Sequence, residues 1–291
     1  MLSELLQFLF SGLTVGAMYA LAAVGFSLIY SASGVINFAQ GEFIMLGGMS
    51  AALLVQAGVP LPLAIALAVL VAAAAGLIVE KLAIEPAGNS EVVTLVIITI
   101  GASLTLRGLA EVFLGKANHA LPAFSGEDPI VILGATLMPQ SLWVMGVTLV
   151  VVVALALFFS RTTLGKAVLA TSCNKLAAQL VGVNTRFILL LAFGLSAALG
   201  AVGGILVAPM TYTSYDVGIM MGLKGFVAAT LGGLGSGAGA IVGGLLLGVV
   251  EAMTAGYISS AYKDAMPFVL ILLILFFLPQ GLFGKKTTDR V

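Results

Sequence analysis

The chain has 291 residues, of which 61% are hydrophobic and 8% charged, and its mean hydropathy is +1.21. Soluble domains carry roughly 45–50% apolar and about 25% charged residues, so a water-soluble globule is excluded. Twelve basic residues balance twelve acidic ones, which leaves no electrostatic footprint for nucleic acid.

The apolar runs are continuous and rich in Leu, Ala, Val and Gly, without the alternation of barrel strands, so they predict membrane-spanning helices. A span needs ~20 residues at 1.5 Å each. The first, Leu5–Tyr30, follows the segment MLSELLQFLF, which has Glu4 and no Lys or Arg. Without a positive n-region it does not read as a cleaved signal peptide and is expected to remain as a span. The interruption SGVINFAQGEF comes next and places Asn37, Gln40 and Glu42 within six residues between two apolar runs. A solvated turn would explain it, but Ile36 and Phe38 are apolar and no Lys or Arg is present. The expectation is a helix break at Gly34–Gly41, partly within the bundle, with Asn37, Gln40 and Glu42 facing an interface with another subunit or a gate.

Further spans are expected near Gly41–Ala57, Leu61–Val79, Val92–Leu114, Leu142–Phe159, Phe187–Val207, Gly218–Leu234, Ala238–Ala255 and Pro267–Leu282. Gly41–Ala57 is short and Gly218–Leu234 contains Lys224, so the total is eight to nine. Charges inside spans need partners or water. Arg107 and Glu111 lie four apart on one helical face and are expected to pair with each other, the alternative for Arg107 being a substrate contact. Lys224 and Glu251 have no local partner, which predicts a pair between their spans. Glycines recur at fourfold spacing, as in Gly12/Gly16, Gly200/Gly204 and Gly244/Gly248. In lipid this reads as close helix packing, with an unwound, pathway-lining stretch at Leu231–Gly244 as the alternative.

Two polar segments stand out: Gly115–Gln140, and Ser160–Phe187 with Arg161, Lys166, Lys175, Arg186 and no acid. Counting Lys and Arg near span ends puts the second segment and the carboxyl-terminal KKTTDRV inside, and residues 115–140 outside. The amino terminus is then outside for nine spans and inside for eight. Within the inner segment, Ser172 or Asn174 can cap a short helix running to Val181, with Gly182 at its C′ position and Asn184-Thr185 opening the next span. Leu176, Leu180 and Val181 give it an apolar stripe suited to a groove on another protein or to the membrane surface.

Catalytic signals are absent from the sequence. Cys173 is the lone cysteine and His119 the lone histidine, no metal-ligand cluster is spaced for a metal site, and no G-x-x-x-x-G-K-[ST] occurs. The segment Ala177-Ala178-x-x-x-Gly182, preceded by Leu176 and enclosing Gln179 and Leu180, resembles the core of the EAA loop of binding-protein-dependent ABC permeases; Leu176 stands where Glu is usual. GLTVGAMYALAAVGFSLIYSASGVINFAQGEF, IITIGASLTLRGL, AAQLVGVNT and GLKGFVAATLGGLGSGAGAIVGGLLLGVVEA together resemble the LivH-type permeases of branched-chain amino acid ABC importers. The resemblance implies a single transmembrane permease domain over 1–291: an all-α polytopic membrane protein, a Gly-rich bundle with a cytoplasmic coupling helix formed by Leu176–Gly182. It also implies a second, LivM-like permease subunit, two ATP-binding subunits that carry ATP and Mg, a periplasmic substrate-binding protein and a bacterial or archaeal cytoplasmic membrane. Asn37, Gln40, Glu42, Arg107, Lys224 and Glu251 are the candidates for the pathway or the permease interface. Urea, short amides or other small solutes are alternative cargoes within the same importer type; an ion-coupled secondary transporter and a purely structural membrane protein are the rival classes.

Overall fold

The computed structural model describes residues 2–88, 90–126 and 128–284. The expected carboxyl-terminal charges Lys285, Lys286 and Arg290 lie outside the described residues. The described helices are α1 (Leu2–Ser33), α2 (Gln40–Gln56), α3 (Leu61–Val79), α4 (Val92–Phe113), α5 (Pro139–Arg161), α6 (Thr163–Cys173), α7 (Lys175–Leu180), α8 (Thr185–Thr211), α9 (Val217–Gly232), α10 (Gly237–Tyr257) and α11 (Met266–Phe277). A π-helical turn, Glu80–Ile84, extends α3, and a short antiparallel hairpin pairs β1 (Ile130–Ile132) with β2 (Ala135–Leu137).

Six of the described helices are long and apolar enough to cross a membrane: α1, α3 with its extension, α4, α5, α8 and α10. The expected eight to nine crossings therefore depend on the shorter α2, α9 and α11, of 17, 16 and 12 residues. Two elements of the polar segments are additions to the expectation. The hairpin turns at Leu133 and Gly134, both with positive φ, as a two-residue turn compatible with strand twist requires. Helix α6 starts where Thr162 Oγ1 accepts a 2.9 Å hydrogen bond from Gly165 N.

Helix α1 is the axis of the bundle and is buried over nearly all of Gly12–Ala32. It packs against α10, α8 and α9, and α2 and α3 pack against α8. The α1–α10 seam is the glycine contact that the fourfold spacing predicted. A Cβ at Gly12 would come within 2.7 Å of Val249 Cα, one at Gly16 within 2.8 Å of Leu245 Cα, and one at Gly248 would collide with the Gly16 backbone. Leu231–Gly244 is not unwound throughout: α9 runs to Gly232, a tight turn with positive φ at Gly233 and Gly235 follows, and α10 begins at Gly237. The break is confined to four residues because Ser236 Oγ accepts from Gly239 N and caps the new helix.

Contacts sort the loops between the two ends of the bundle. At one end Gln7 hydrogen-bonds Thr136, His119 bridges the Thr213 backbone, and Phe8 packs on Tyr257. At the other, Ser31 reaches Gly235, and a groove joins Ser33 and Gly34 to Thr171–Lys175 and Phe283. The segments expected on opposite sides of the membrane thus lie at opposite ends.

Candidate functional site

The interruption after α1 is a helix break inside the protein. Gly34, at φ +73°, ends α1 with its N–H donating to Tyr30 O, and Val35 N donates to Ser33 Oγ. Asn37, Gln40 and Glu42 are all essentially inaccessible. Each amide has its own task. Asn37 Oδ1 accepts from Ala39 N, turning the chain into α2, while Phe38 N donates to Thr99 Oγ1 on α4. Gln40 Nε2 donates to Ser196 O, and Ser196 Oγ lies 2.6 Å from Gln40 Oε1 and 2.8 Å from Gly25 O. Only glycine at 25 leaves space for that amide, so Gln40 stitches α1, α2 and α8 together.

Glu42 corrects the expected Arg107–Glu111 pair. Arg107 Nη2 pairs with Glu42 Oε1, which also accepts from Ser103 Oγ at 2.8 Å, whereas Glu111 pairs with Lys116 at 2.6 Å. The reason is desolvation: the fully buried Glu42 gains most from a guanidinium, and the partly exposed Glu111 is served by a lysine in the adjoining loop. An i,i+4 spacing carries only a few tenths of a kcal/mol and does not compete.

Lys224 and Glu251 form the expected pair, with Nζ 2.7 Å from Oε1. The sequence reading missed two further members. Asp264 Oδ1 accepts from Lys224 Nζ at 2.6 Å, and Tyr19 OH donates to Glu251 Oε2 at 2.8 Å, with Lys224 over the Tyr19 ring at 5.6 Å. The cluster ties α1, α9 and α10 to the segment leading into α11. Lys224 holds the Asp264 carboxyl below its ordinary value, chiefly by hydrogen bonding. A depressed carboxylate stabilises the fold above the unfolded value, ~3.9, and that contribution is lost as pH falls through the lower folded value. Melting temperature measured from pH 6 down to pH 3 is therefore expected to fall less steeply at the acid end for Asp264→Asn than for the wild type.

Helix α7 matches its expected caps. Asn174 Oδ1 accepts from Ala177 N at 3.0 Å; at the other end Gly182, at φ +88°, donates to Gln179 O and Val183 N donates to Ala178 O. This 6→1 and 5→2 pair is a Schellman motif. Ala178 is buried, Ala177 and Gln179 are exposed, and Gln179 Nε2 donates to Thr185 Oγ1 at the start of α8. Leu176, Leu180 and Val181 are 73%, 89% and 78% exposed, an apolar surface with no cover among the described residues. Of the sequence candidates, then, the structure joins Glu42 to Arg107 and Lys224 to Glu251, places Gln40 in a separate stitch, and sets Leu176–Gly182 apart at one end of the bundle.

A family model described as the branched-chain amino acid transport system / permease component matches residues 8–275. The chain belongs to that family. Among this permease family's members, the high-affinity branched-chain amino acid transport system permease protein LivH of Salmonella typhimurium is 35% identical, covering 98% of this chain and 97% of its own. The corresponding protein BraD of Pseudomonas aeruginosa is 36% identical with 98% of both covered. A chain of PsaBC from Streptococcus pneumoniae in complex with Fab superposes with a TM-score of 0.53 at 16% identity, over 96% of this chain and 97% of that one, which supports the permease fold alone.

Proposed function

We propose that this chain is one transmembrane permease subunit of an ATP-driven, binding-protein-dependent importer of branched-chain amino acids. It forms half of a translocation pathway with a second permease subunit, takes its cargo from a periplasmic binding protein, and is driven by two ATPase subunits that bind ATP and Mg on the cytoplasmic side. The family match and the names of its relatives support the cargo. The observation that carries the drive mechanism is the bare apolar face of α7, held rigid by caps at both ends.

A six-residue helix is unstable alone, so α7 owes its order to those caps and to Ala178 beneath it. Its surface of Leu176, Leu180 and Val181 suits a hydrophobic groove on an ATPase subunit. Displacement of α7 passes to α8 through the Gly182 turn and the Gln179–Thr185 bond. From α8 it passes through Ser196 and Gln40 to the helix break, because a close-packed bundle cannot absorb it locally. The groove of about 720 Å³ between the end of α1 and Thr171–Lys175 lies beside this route.

The test is uptake by the complete importer in proteoliposomes. Wild type is expected to accumulate leucine only with enclosed ATP and loaded binding protein, and not on an ion gradient. Leu180→Asp, at a side chain that is 89% exposed, is expected to insert normally and to reduce ATP-driven uptake about a hundredfold, the loss of one apolar anchor of ~2–3 kcal/mol. Uptake at the wild-type rate, or uptake driven by an ion gradient without ATP, would refute the assignment.

A further inference from the structure

The cleft between α2, α4 and α9 has a polarity that its structural role does not account for. Glu42 sits at its base, fully buried, and both of its donors, Ser103 Oγ and Arg107 Nη2, converge on the same oxygen, Oε1. Glu42 Oε2 and Arg107 Nε are buried and have no hydrogen-bond partner among the described residues. Buried polar atoms in native proteins are almost always paired, and an ion pair serving neutralisation alone would be expected to use both forks of the guanidinium and both carboxylate oxygens. One acceptor and one donor are therefore left over, on two residues that line the same space of about 180 Å³.

The rest of the lining is apolar: Phe26, Phe38, Ile100, Ile219 and Leu223. The floor is backbone, because Gly41, Gly218 and Gly222 bring α2 and α9 together so closely that a Cβ at Gly218 would stand 3.2 Å from Glu42 Oε2. Helix α4, the wall that carries Arg107, packs chiefly against α2 and the π turn and leaves most of its surface uncovered. It can move without dismantling the α1, α8 and α10 core.

We propose that this cleft is a station for the zwitterionic head of the transported amino acid: Glu42 Oε2 accepts from the ammonium, Arg107 Nε donates to the carboxylate, and the apolar walls take the side chain. Both polar atoms are inaccessible in this structure, and displacement of α4 exposes them to the cleft. A zwitterion supplies the missing donor and the missing acceptor together and adds no net charge to a low-dielectric site, which a simple cation or anion would do. The inference rests on the amino-acid reading given above and adds to it the residues that would hold the cargo inside the membrane.

The test uses the complete importer in proteoliposomes with enclosed ATP, reading leucine uptake, valine uptake and ATP hydrolysis separately. Ile219→Trp fills the cleft from a side chain that is already 40% exposed, so folding is retained. It is expected to lower leucine uptake per ATP about tenfold and valine uptake distinctly less, in line with the discrimination a methylene group supports. The double variant Glu42→Gln/Arg107→Gln keeps hydrogen-bonding capacity without charge; it is expected to lose uptake of both while ATP hydrolysis continues. Should the double variant fail to assemble, Ile219→Trp decides alone. Unchanged leucine uptake per ATP in Ile219→Trp, or equal losses for leucine and valine, would overturn the station while leaving the importer assignment standing. Failure of the wild-type complex to take up either amino acid would overturn that assignment and the station with it.

Discussion

Lys224→Met is expected to destabilise the protein by about 3–5 kcal/mol, the cost of leaving buried carboxylates without their cation. Glu251 is the reason for so large a value. Its side chain and that of Lys224 are 10% and 7% exposed, while Asp264, at 50%, can turn to solvent and contributes little to the loss. Thermal unfolding in detergent measures the effect. Lys224→Met/Glu251→Gln is expected to recover most of it, because the introduced amide is neutral and its oxygen still accepts from Tyr19. A double variant as unstable as the single would show that the lysine acts through packing and not through charge.

Gly248→Ala is expected to cost about 3 kcal/mol or more, at or above the upper end for overpacking a core. Its methyl group would collide with the Gly16 backbone and lie close to Gly12 O, and backbone cannot rotate away as a side chain can. Relief requires α1 and α10 to separate along the whole seam, which in lipid forfeits the van der Waals contact that holds them together. Gly146→Ala on α5 is the control: nothing lies within 4 Å of its added Cβ, so its melting temperature is expected to stay level or to rise slightly with helix propensity. Equal loss of folded protein in both variants would refute the seam.

The seam was legible in the sequence because glycine at fourfold spacing in an apolar run has one common use in lipid. The caps of α7 and of the start of α8 were legible for a similar reason: Asn174 and Gly182 for α7, and Asn184 for α8, act on backbone groups within a few residues. What escaped was long-range electrostatics. Arg107 stands four residues from Glu111, and local spacing favoured that pair. The choice is made by how completely Glu42 is buried, a property of the assembled bundle. The same limit hid Asp264 and Tyr19 from the Lys224 cluster. Tyr19 is 232 residues from the glutamate it serves, and no neighbour in sequence marks its hydroxyl as a donor to a distant acid. For Gln40, a candidate for the gate or interface, the hydrogen bonds to Ser196 and through it to Gly25 depend on α1, α2 and α8 meeting, which no local pattern shows.

The pairing of Glu42 with Arg107 has a consequence for biosynthesis. The carboxylate leaves the ribosome 65 residues ahead of the guanidinium. Until α4 has been made, α2 carries an uncompensated acid whose insertion costs a few kcal/mol, ~2.5–3.5 for an aspartate at mid-membrane. Nascent chains that stop before Ser103 should hold α2 at the water interface or beside the translocon, and those extended past Arg107 should release it into the bilayer. Membrane integration of this protein would then proceed by delayed entry of its second helix and not strictly from first span to last.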